Sequence, residues 1–149
     1  KPSSKPLKPK SRGIIGIIGG GTLGTQLAAL LSFKRYTIVV IDQTKSQLEK
    51  SKKVHRQICD SYLQQNFITK EDVDAIKVVY SDNMDDLKKY HSTMHTVIDT
   101  SHDYHKKLVI QKLIKLIDNK CMILTSSKQK CITEISSYLN KIAPNRREN

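Results

Sequence analysis

The chain has 149 residues and a net charge of +12, since 26 lysines and arginines outnumber 14 aspartates and glutamates. This length fits a single domain with a proper core, and the apolar stretches are too short for a membrane span. The three cysteines have no paired spacing, which argues against a disulfide framework and against a zinc site. We therefore expect an intracellular protein, cytoplasmic or mitochondrial.

The amino-terminal segment accounts for part of the basic excess. Residues 1–12 hold five basic residues, no acids and three of the four prolines, a composition typical of a disordered arm. Such an arm is compatible with the remnant of a transit peptide, although its prolines disfavour the amphipathic helix that this signal needs. We expect the folded domain to span residues 13–143 and a polar tail to span residues 144–149.

A glycine-rich turn follows the first predicted strand. Ile14–Ile18 has the pattern of a short buried strand, and the apolar stretch Leu23–Phe33 has that of a helix. Between them, Gly19 allows a tight turn, Gly21 lets the backbone approach a pyrophosphate, and Gly24 lets the helix pack close to the strand. The amino terminus of such a helix suits the charge of a diphosphate. The pattern therefore predicts a dinucleotide-binding turn.

The second predicted strand, Thr37–Ile41, ends at Asp42. An acid there accepts both hydrogen bonds of an adenosine ribose diol and repels a 2′-phosphate, which favours NAD over NADP. Taken alone, Asp42 equally fits the N-cap of the next helix. Because the strand, the turn, the helix and the acid agree in position, we prefer the cofactor interpretation to that of a ligand-free scaffold.

The rest of the chain continues this alternation of strands and helices. Helices are predicted at Ser46–Gln65, Lys70–Ile76, Met84–Tyr90, Tyr104–Asp118 and around Ile132–Leu139. Further strands are predicted at Lys77–Tyr80, Thr96–Asp99 and Cys121–Thr125. The alternation predicts an α/β fold of Rossmann type, a doubly wound, mostly parallel sheet with helices on both faces. Ligands bind such sheets outside the carboxyl ends of the strands.

Five short motifs stand out along this predicted fold. They are residues 18–24 around the glycines, Val40-Ile41-Asp42-Gln43-Thr44, Lys50-Ser51-Lys52-Lys53, Val97-Ile98-Asp99 and Ile132-Thr133-Glu134-Ile135. Together they resemble the amino-terminal domain of the L-3-hydroxyacyl-CoA dehydrogenases, over about residues 13 to 140. This resemblance implies NAD(H) binding and a reaction that oxidises the 3-hydroxyl of an acyl-CoA by hydride transfer.

The resemblance assigns cofactor-binding roles residue by residue. The family's pyrophosphate loop falls on Gly19, Gly20, Gly21, Thr22, Leu23 and Gly24. Its ribose-binding aspartate falls on Asp42. A cofactor-contacting glutamate falls on Asp103, a shorter acid, and a cofactor-contacting lysine falls on Lys106 if two residues are missing between them. Alternatively, Asp103 is an acid favoured by the helix dipole, and Lys106 is a solvated helix residue.

Other positions depart from the family pattern. The family's serine that touches substrate and cofactor becomes Lys128, and the serine and lysine that hold CoA become Ile58 and Gln65. An apolar residue and a neutral amide cannot replace a hydroxyl and an ammonium against a phosphate. The family's catalytic histidine and its orienting acid belong to elements that would follow Asn149. We therefore expect cofactor binding without complete catalysis, and a substrate other than an ordinary acyl-CoA.

His102 is the histidine best placed to act as a base instead, since it follows the fourth strand beside Asp103. An exposed loop histidine is the simpler interpretation, because adjacent residues on a turn rarely point together. His91, His95 and His105 match no known metal-ligand spacing. We therefore assign no catalytic residue and predict no metal site.

Several functional hypotheses remain open at this point. The first is an NAD(H)-binding domain, an oxidoreductase by family. The second is a non-enzymatic protein that senses NADH or binds a partner, with its basic arm contacting an acidic surface. Nucleic-acid binding is a third, but the few aromatic residues form no stacking platform. A homodimer is also expected, since an uncovered sheet edge or a missing partner domain favours pairing.

Overall fold

The computed structural model describes residues 10–127, together with Ser137 and Lys141. The strands are Ile14–Ile18 (β1), Thr37–Ile41 (β2), Lys77–Ser81 (β3), Met94–Asp99 (β4) and Met122–Thr125 (β5). The helices are Thr22–Phe33 (α1), Lys45–Gln64 (α2), Lys70–Asp74 (α3) and Asp103–Leu116 (α4), with a 3-10 helix at Met84–Tyr90. These bounds lie within two residues of the predicted ones.

Some predicted features lie outside the described residues. They are residues 1–9 of the basic arm, the tail 144–149 and most of the last predicted helix. Ser11 and Arg12, at the end of the predicted arm, are hydrogen-bonded to the domain. The N–H of Arg12 donates to the carbonyl of Arg35 at 3.0 Å, and the hydroxyls of Ser11 and Thr37 are 3.1 Å apart.

The five strands form one parallel sheet in the order β3-β2-β1-β4-β5. From β1 the chain first adds β2 and β3 on one side of the sheet, and it then adds β4 and β5 on the other side. This arrangement confirms the predicted Rossmann-type fold. It places the carboxyl ends of all five strands at one edge, with the reversal of strand order between β1 and β4, where such folds bind their ligands.

Both faces of the sheet are buried, which explains the continuous apolar runs of β1 and β2. On one face, Ile17 and Val40 belong to a cluster with Ala28 of α1. On the other face, Ile18 packs in a cluster with Leu113 of α4. Within the part of the chain that the structure describes, no helix has both the length and the hydropathy needed to cross a membrane.

A seam of buried polar side chains joins α1 to α2. The hydroxyls of Thr25 and Ser51 are 2.7 Å apart. Further along the two helices, the hydroxyl of Ser32 lies 3.3 Å from Nε2 of His55, and the Sγ of Cys59 lies 4.0 Å from the same nitrogen. Burial raises the pKa of the Cys59 thiol, so that this thiol stays protonated at neutral pH.

The buried His55 predicts a pH dependence of stability. Burial lowers the pKa of His55 below its ordinary value of 6.5, because the charged imidazole loses its hydration. Below pH 6.5 the unfolded chain therefore binds the proton more readily than the folded chain does. We expect the free energy of unfolding to be highest above pH 6.5 and to fall as the pH drops below it.

Urea unfolding across a pH series measures this effect. The His55→Gln variant should show a weaker pH dependence than the wild type, whereas a matched change at the exposed His95 should leave the slope unaltered. A wild-type stability that stays constant below pH 6.5 would contradict the assignment.

Candidate functional site

The glycine loop lies tightly against the ends of β1 and β2. Gly19 has a φ of +105°, a conformation that favours glycine, and its N–H donates to the carbonyl of Ile41 at 2.8 Å. A Cβ at Gly24 would overlap the carbonyl oxygen of Gly19. Gly19 thus forms the predicted tight turn, and Gly24 allows the predicted close packing of the helix against the strand.

Gly21 faces open space at the amino terminus of α1. It is the N-cap of the helix, and a Cβ at this position would meet no atom within 4 Å. No side chain caps α1, and its first turn carries no acid. Thr22 and Leu23, the first residues of that turn, are exposed. The backbone N–H groups of the turn therefore remain accessible to an anionic ligand, and a diphosphate fits them.

Asp42 joins the glycine loop to the start of α2. Its Oδ2 accepts a hydrogen bond from the Gly20 N–H at 2.8 Å, and its Oδ1 accepts one from the Thr44 N–H at 2.9 Å. The N-cap of α2 is Thr44, so the alternative interpretation of Asp42 as the N-cap is wrong. A carboxylate has about four acceptor positions, and each oxygen of Asp42 can therefore accept a further bond from a ribose hydroxyl.

Two further side chains hold the same loop through the carbonyl of Gly20. Nε2 of Gln47 donates to it at 2.8 Å, and the Thr25 hydroxyl donates at 3.1 Å. Sequence reasoning missed both residues. The position of Gln47 in the first turn of α2, close after Asp42, is the signal that could have indicated its role.

A cleft of about 340 Å³ opens beside Asp42 at the carboxyl edge of the sheet. The end of β2 contributes Asp42, Gln43 and Thr44 to its lining, and α4 contributes His105, Leu108, Val109 and Lys112. His105, the adjacent pair Leu108 and Val109, and Lys112 follow one another at intervals of three or four positions and therefore share one face of the helix. A cleft of mixed polar and apolar lining suits a nucleoside. Sequence reasoning missed the contribution of α4 to this cleft, because the sequence does not show which face of the helix is turned toward Asp42.

Lys106 is buried, so its interpretation as a solvated helix residue is wrong. Its Nζ lies 3.1 Å from Oδ2 of Asp99 and donates to the carbonyl of Ser101 at 3.0 Å. The side chains of Lys106 and Asp99 are 2% and 0% exposed. Asp103 is the first residue of α4, where the helix dipole favours an acid. Direct cofactor contacts of Asp103 and Lys106 stay predictions, and the ammonium of Lys106 is directed into the protein.

His102 is the N-cap of α4, in the lining of the cleft. Its Nδ1 accepts a hydrogen bond from the Tyr104 N–H at 3.4 Å, and the two rings are stacked 5.3 Å apart. Nδ1 of His102 is thus used to cap the helix. Among residues 10–127, Ser137 and Lys141, no group of three His, Cys, Asp or Glu side chains is arranged to hold a metal.

A parallel doubly wound sheet, a glycine loop at its central strand and an acid at the end of β2 define a dinucleotide-binding domain. The sequence matches the NAD-binding domain of the 3-hydroxyacyl-CoA dehydrogenases over residues 14–144. The chain therefore belongs to this family, and its cofactor is NAD. No curated protein sequence matches the chain.

Several solved dehydrogenases and reductases share the fold. A diketoreductase is 21% identical with a TM-score of 0.73, over 87% of this chain and 47% of its own. The (S)-3-hydroxybutyryl-CoA dehydrogenase of Ralstonia eutropha is 17% identical with a TM-score of 0.69, over 84% and 44% of the two chains. The 3-hydroxybutyryl-CoA dehydrogenase of Escherichia coli is 16% identical with a TM-score of 0.74, over 84% and 26%. The chain thus spans less than half the length of each of these proteins.

Substitutions at Gly21 and Gly24 should have different effects, the first on cofactor binding and the second on folding. Gly21→Val adds a side chain in open space, so we expect the variant to fold with a small loss of stability, about 1 kcal/mol or less for the poorer N-cap. Its NADH affinity should fall at least about tenfold, because the side chain occupies the approach to the helix N–H groups. Gly24→Ala should prevent folding instead, since its Cβ overlaps backbone.

Thermal unfolding and NADH titration of both variants measure the contrast. A Gly24→Ala variant that melts like the wild type would contradict the packing argument. Unchanged NADH affinity in Gly21→Val would contradict the placement of the pyrophosphate.

Proposed function

We propose that this domain holds NAD(H) for hydride transfer in an oxidoreductase, with the glycine loop at the pyrophosphate and Asp42 at the adenosine ribose. The observation that carries the proposal is the fixed carboxylate of Asp42 in the lining of the cleft. Its two backbone bonds, to Gly20 and Thr44, orient both oxygens before a ligand binds. Such preorganisation favours binding, because the ligand does not have to order the side chain.

Replacement of Asp42 tests the choice of NAD over NADP. Asp42→Asn keeps an acceptor oxygen for one of the two backbone N–H groups that Asp42 binds, but it removes the charge that receives the ribose diol. We expect NADH affinity to fall about tenfold or more, the scale of lost charged hydrogen bonds worth about 1.5–3 kcal/mol. The preference for NADH over NADPH should shrink, since the charge that repels a 2′-phosphate is gone.

Calorimetric titration with NADH and NADPH measures both effects. Asp74→Asn, which neutralises an exposed acid on α3, is the matched control and should bind like the wild type. Equal binding of NADH and NADPH by the wild type would contradict the proposal, as would an unchanged preference in Asp42→Asn.

The second half of α2 supports a substrate other than an ordinary acyl-CoA. Ile58 and Gln65, at the positions that hold CoA in the family, lie seven residues apart and share a helix face. Ile58 is half-buried, and Gln65, the C-cap of α2, donates from Nε2 to the Ser61 hydroxyl at 2.9 Å. Neither side chain supplies a positive charge to a phosphate.

A binding experiment with coenzyme A tests this interpretation. We expect the wild type to show no saturable binding of coenzyme A, because these positions offer a phosphate no ammonium. The Ile58→Ser, Gln65→Lys double variant should gain measurable affinity, while its NADH affinity stays within about twofold of the wild type. Tight binding of coenzyme A by the wild type would contradict this interpretation and would support an acyl-CoA as the substrate.

The proton acceptor for hydride transfer is a separate question. Because His102 caps α4 through Nδ1, we propose that it is not the catalytic base. We also propose that Lys128, which lies outside the described residues, does not take over the role of the family's serine toward the substrate, since an ammonium donates but does not accept. Removal of residues 1–12 separates the hypotheses: a loss of partner binding with unchanged NADH affinity would favour the non-enzymatic alternative, a protein that senses NADH or binds a partner.

A further inference from the structure

The amino edge of the sheet lies opposite the glycine loop and carries a group of basic residues. Because the strands are parallel, the helices return the chain to this edge before the next strand begins. Lys10 and Arg12 precede β1 there, and Lys34 and Arg35 lie between α1 and β2. Lys10, Arg12 and Lys34 are exposed. The length of a five-residue strand, about 17 Å, separates this edge from the glycine loop.

Hydrogen bonds hold two of these basic segments next to each other. The N–H of Arg12 donates to the carbonyl of Arg35 at 3.0 Å, and the hydroxyls of Ser11 and Thr37 are 3.1 Å apart. The segment that carries Arg12 is therefore fixed beside the turn that carries Lys34 and Arg35. Their charges lie in one region of the surface, although the two segments are more than 20 positions apart in the sequence.

Most of this positive charge has no acidic partner in the described part of the chain. Nη2 of Arg35 lies 3.3 Å from Oδ1 of Asp72, and this pair compensates its charge. Among residues 10–127, Lys10, Arg12 and Lys34 form no ion pair. These three cations are therefore available to an anionic partner.

The remaining charges near this edge do not reverse the balance. The exposed acids Glu71 and Asp74 belong to α3, and Lys70 at the start of α3 and Lys77 at the start of β3 offset them. Residues 1–9, which precede Lys10, add three lysines and no acid by sequence. The amino edge thus keeps a net positive charge.

An exposed phenylalanine lies at the same edge. Phe67 is 69% exposed, and its N–H donates to the carbonyl of Tyr62 at 2.9 Å. Its ring lies 5.7 Å from the ring of Tyr62, which in turn lies 5.1 Å from the ring of Phe33, the residue before Lys34. The ends of α1 and α2 therefore hold the Phe67 ring at the surface. Most of its apolar area stays in water, and covering that area favours binding of a partner.

The combination of cations with this ring favours one kind of anionic partner. A single-stranded nucleic acid binds cations together with several rings on which its bases stack. At the amino edge of the described chain, Phe67 is the one mostly exposed ring, and Tyr62 packs against it. An anionic bilayer instead attracts cations to its headgroups and accepts a single apolar side chain in its interface. Stable attachment to a bilayer needs two such signals, and this edge supplies both.

We propose that the amino edge of this domain binds an anionic lipid surface, with Lys10, Arg12 and Lys34 at the headgroups and Phe67 in the interface. The carboxyl edge then points away from the bilayer, so that the glycine loop and the cleft stay open to solvent. The contact uses no residue of the cofactor site. The inference is therefore independent of the proposed function and adds a location for the domain to it.

Sedimentation with lipid vesicles tests this surface. We expect the wild type to bind vesicles of phosphatidylcholine and phosphatidylserine at least about tenfold more tightly than vesicles of phosphatidylcholine alone. Added salt should weaken this binding, since it screens the charges. The Arg12→Gln, Lys34→Gln double variant should lose about tenfold or more in affinity, because each cation near such a surface contributes roughly fivefold.

Further variants separate the two signals and control for net charge. Phe67→Ser removes the apolar side chain without changing the charge, and we expect a loss of about fivefold. The Lys50→Gln, Lys53→Gln double variant removes two exposed charges from α2, and Val54→Ser removes an exposed apolar side chain from the same helix. Both controls should bind the anionic vesicles like the wild type.

Three results would overturn the proposed surface. The first is an equal loss in the two double variants, which would show that only the net charge attracts the vesicles. The second is unchanged vesicle binding in both Phe67→Ser and Arg12→Gln, Lys34→Gln. The third is a wild type that binds a single-stranded oligonucleotide more tightly than anionic vesicles, which would indicate a nucleic-acid partner.

Titration with NADH separates this inference from the proposed function. Phe67→Ser and the Arg12→Gln, Lys34→Gln double variant should keep their NADH affinity within about twofold, since the two sites lie at opposite edges. A wild type that binds anionic vesicles but not NADH would support the lipid surface and contradict the cofactor site. A wild type that binds NADH but not the vesicles would do the reverse.

Discussion

The close approach of α1 to the end of β1 is the constraint on which the cofactor site depends. Because a Cβ at Gly24 would overlap the carbonyl oxygen of Gly19, the helix can begin this near the strand only with glycine at that position. The N–H groups of the first turn have no carbonyl acceptor within the helix. The close approach brings these groups to the carboxyl edge of the sheet. A wider spacing would move them away from the edge where the glycine loop, Asp42 and the cleft come together.

The glycine loop is fixed by its neighbours, since glycines offer no side chains of their own. From the side of β2 and α2, Asp42 accepts from the N–H of Gly20, while Gln47 donates to the Gly20 carbonyl. From the side of β4, Thr100 bonds to the carbonyl of Ile18. Residues from both halves of the sheet thus hold one short loop, and a change in either half alters the proposed pyrophosphate site.

Local patterns predicted the parts of this fold that local interactions decide. The apolar runs of β1 and β2 indicated strands buried on both faces, and the helix predicted at Lys70–Ile76 begins with a capping box between Thr69 and Asp72. Lys106 was not predictable in this way. A lysine on a helix is usually solvated, and its burial depends on Asp99, which only the packing of α4 against β4 brings within reach.

The length of α2 separates Gln47, at the glycine loop, from the departures from the family pattern at Ile58 and Gln65. Gln47, which holds the glycine loop, and Gln65, at a position that holds CoA in the family, are 18 residues apart, roughly 27 Å along a helix axis. At such a distance substitutions act independently. The departures at Ile58 and Gln65 therefore leave the contacts of Asp42 and Gln47 with the loop intact. Under the proposed function, the residues at these two positions can therefore change without loss of the hydrogen bonds that hold the glycine loop.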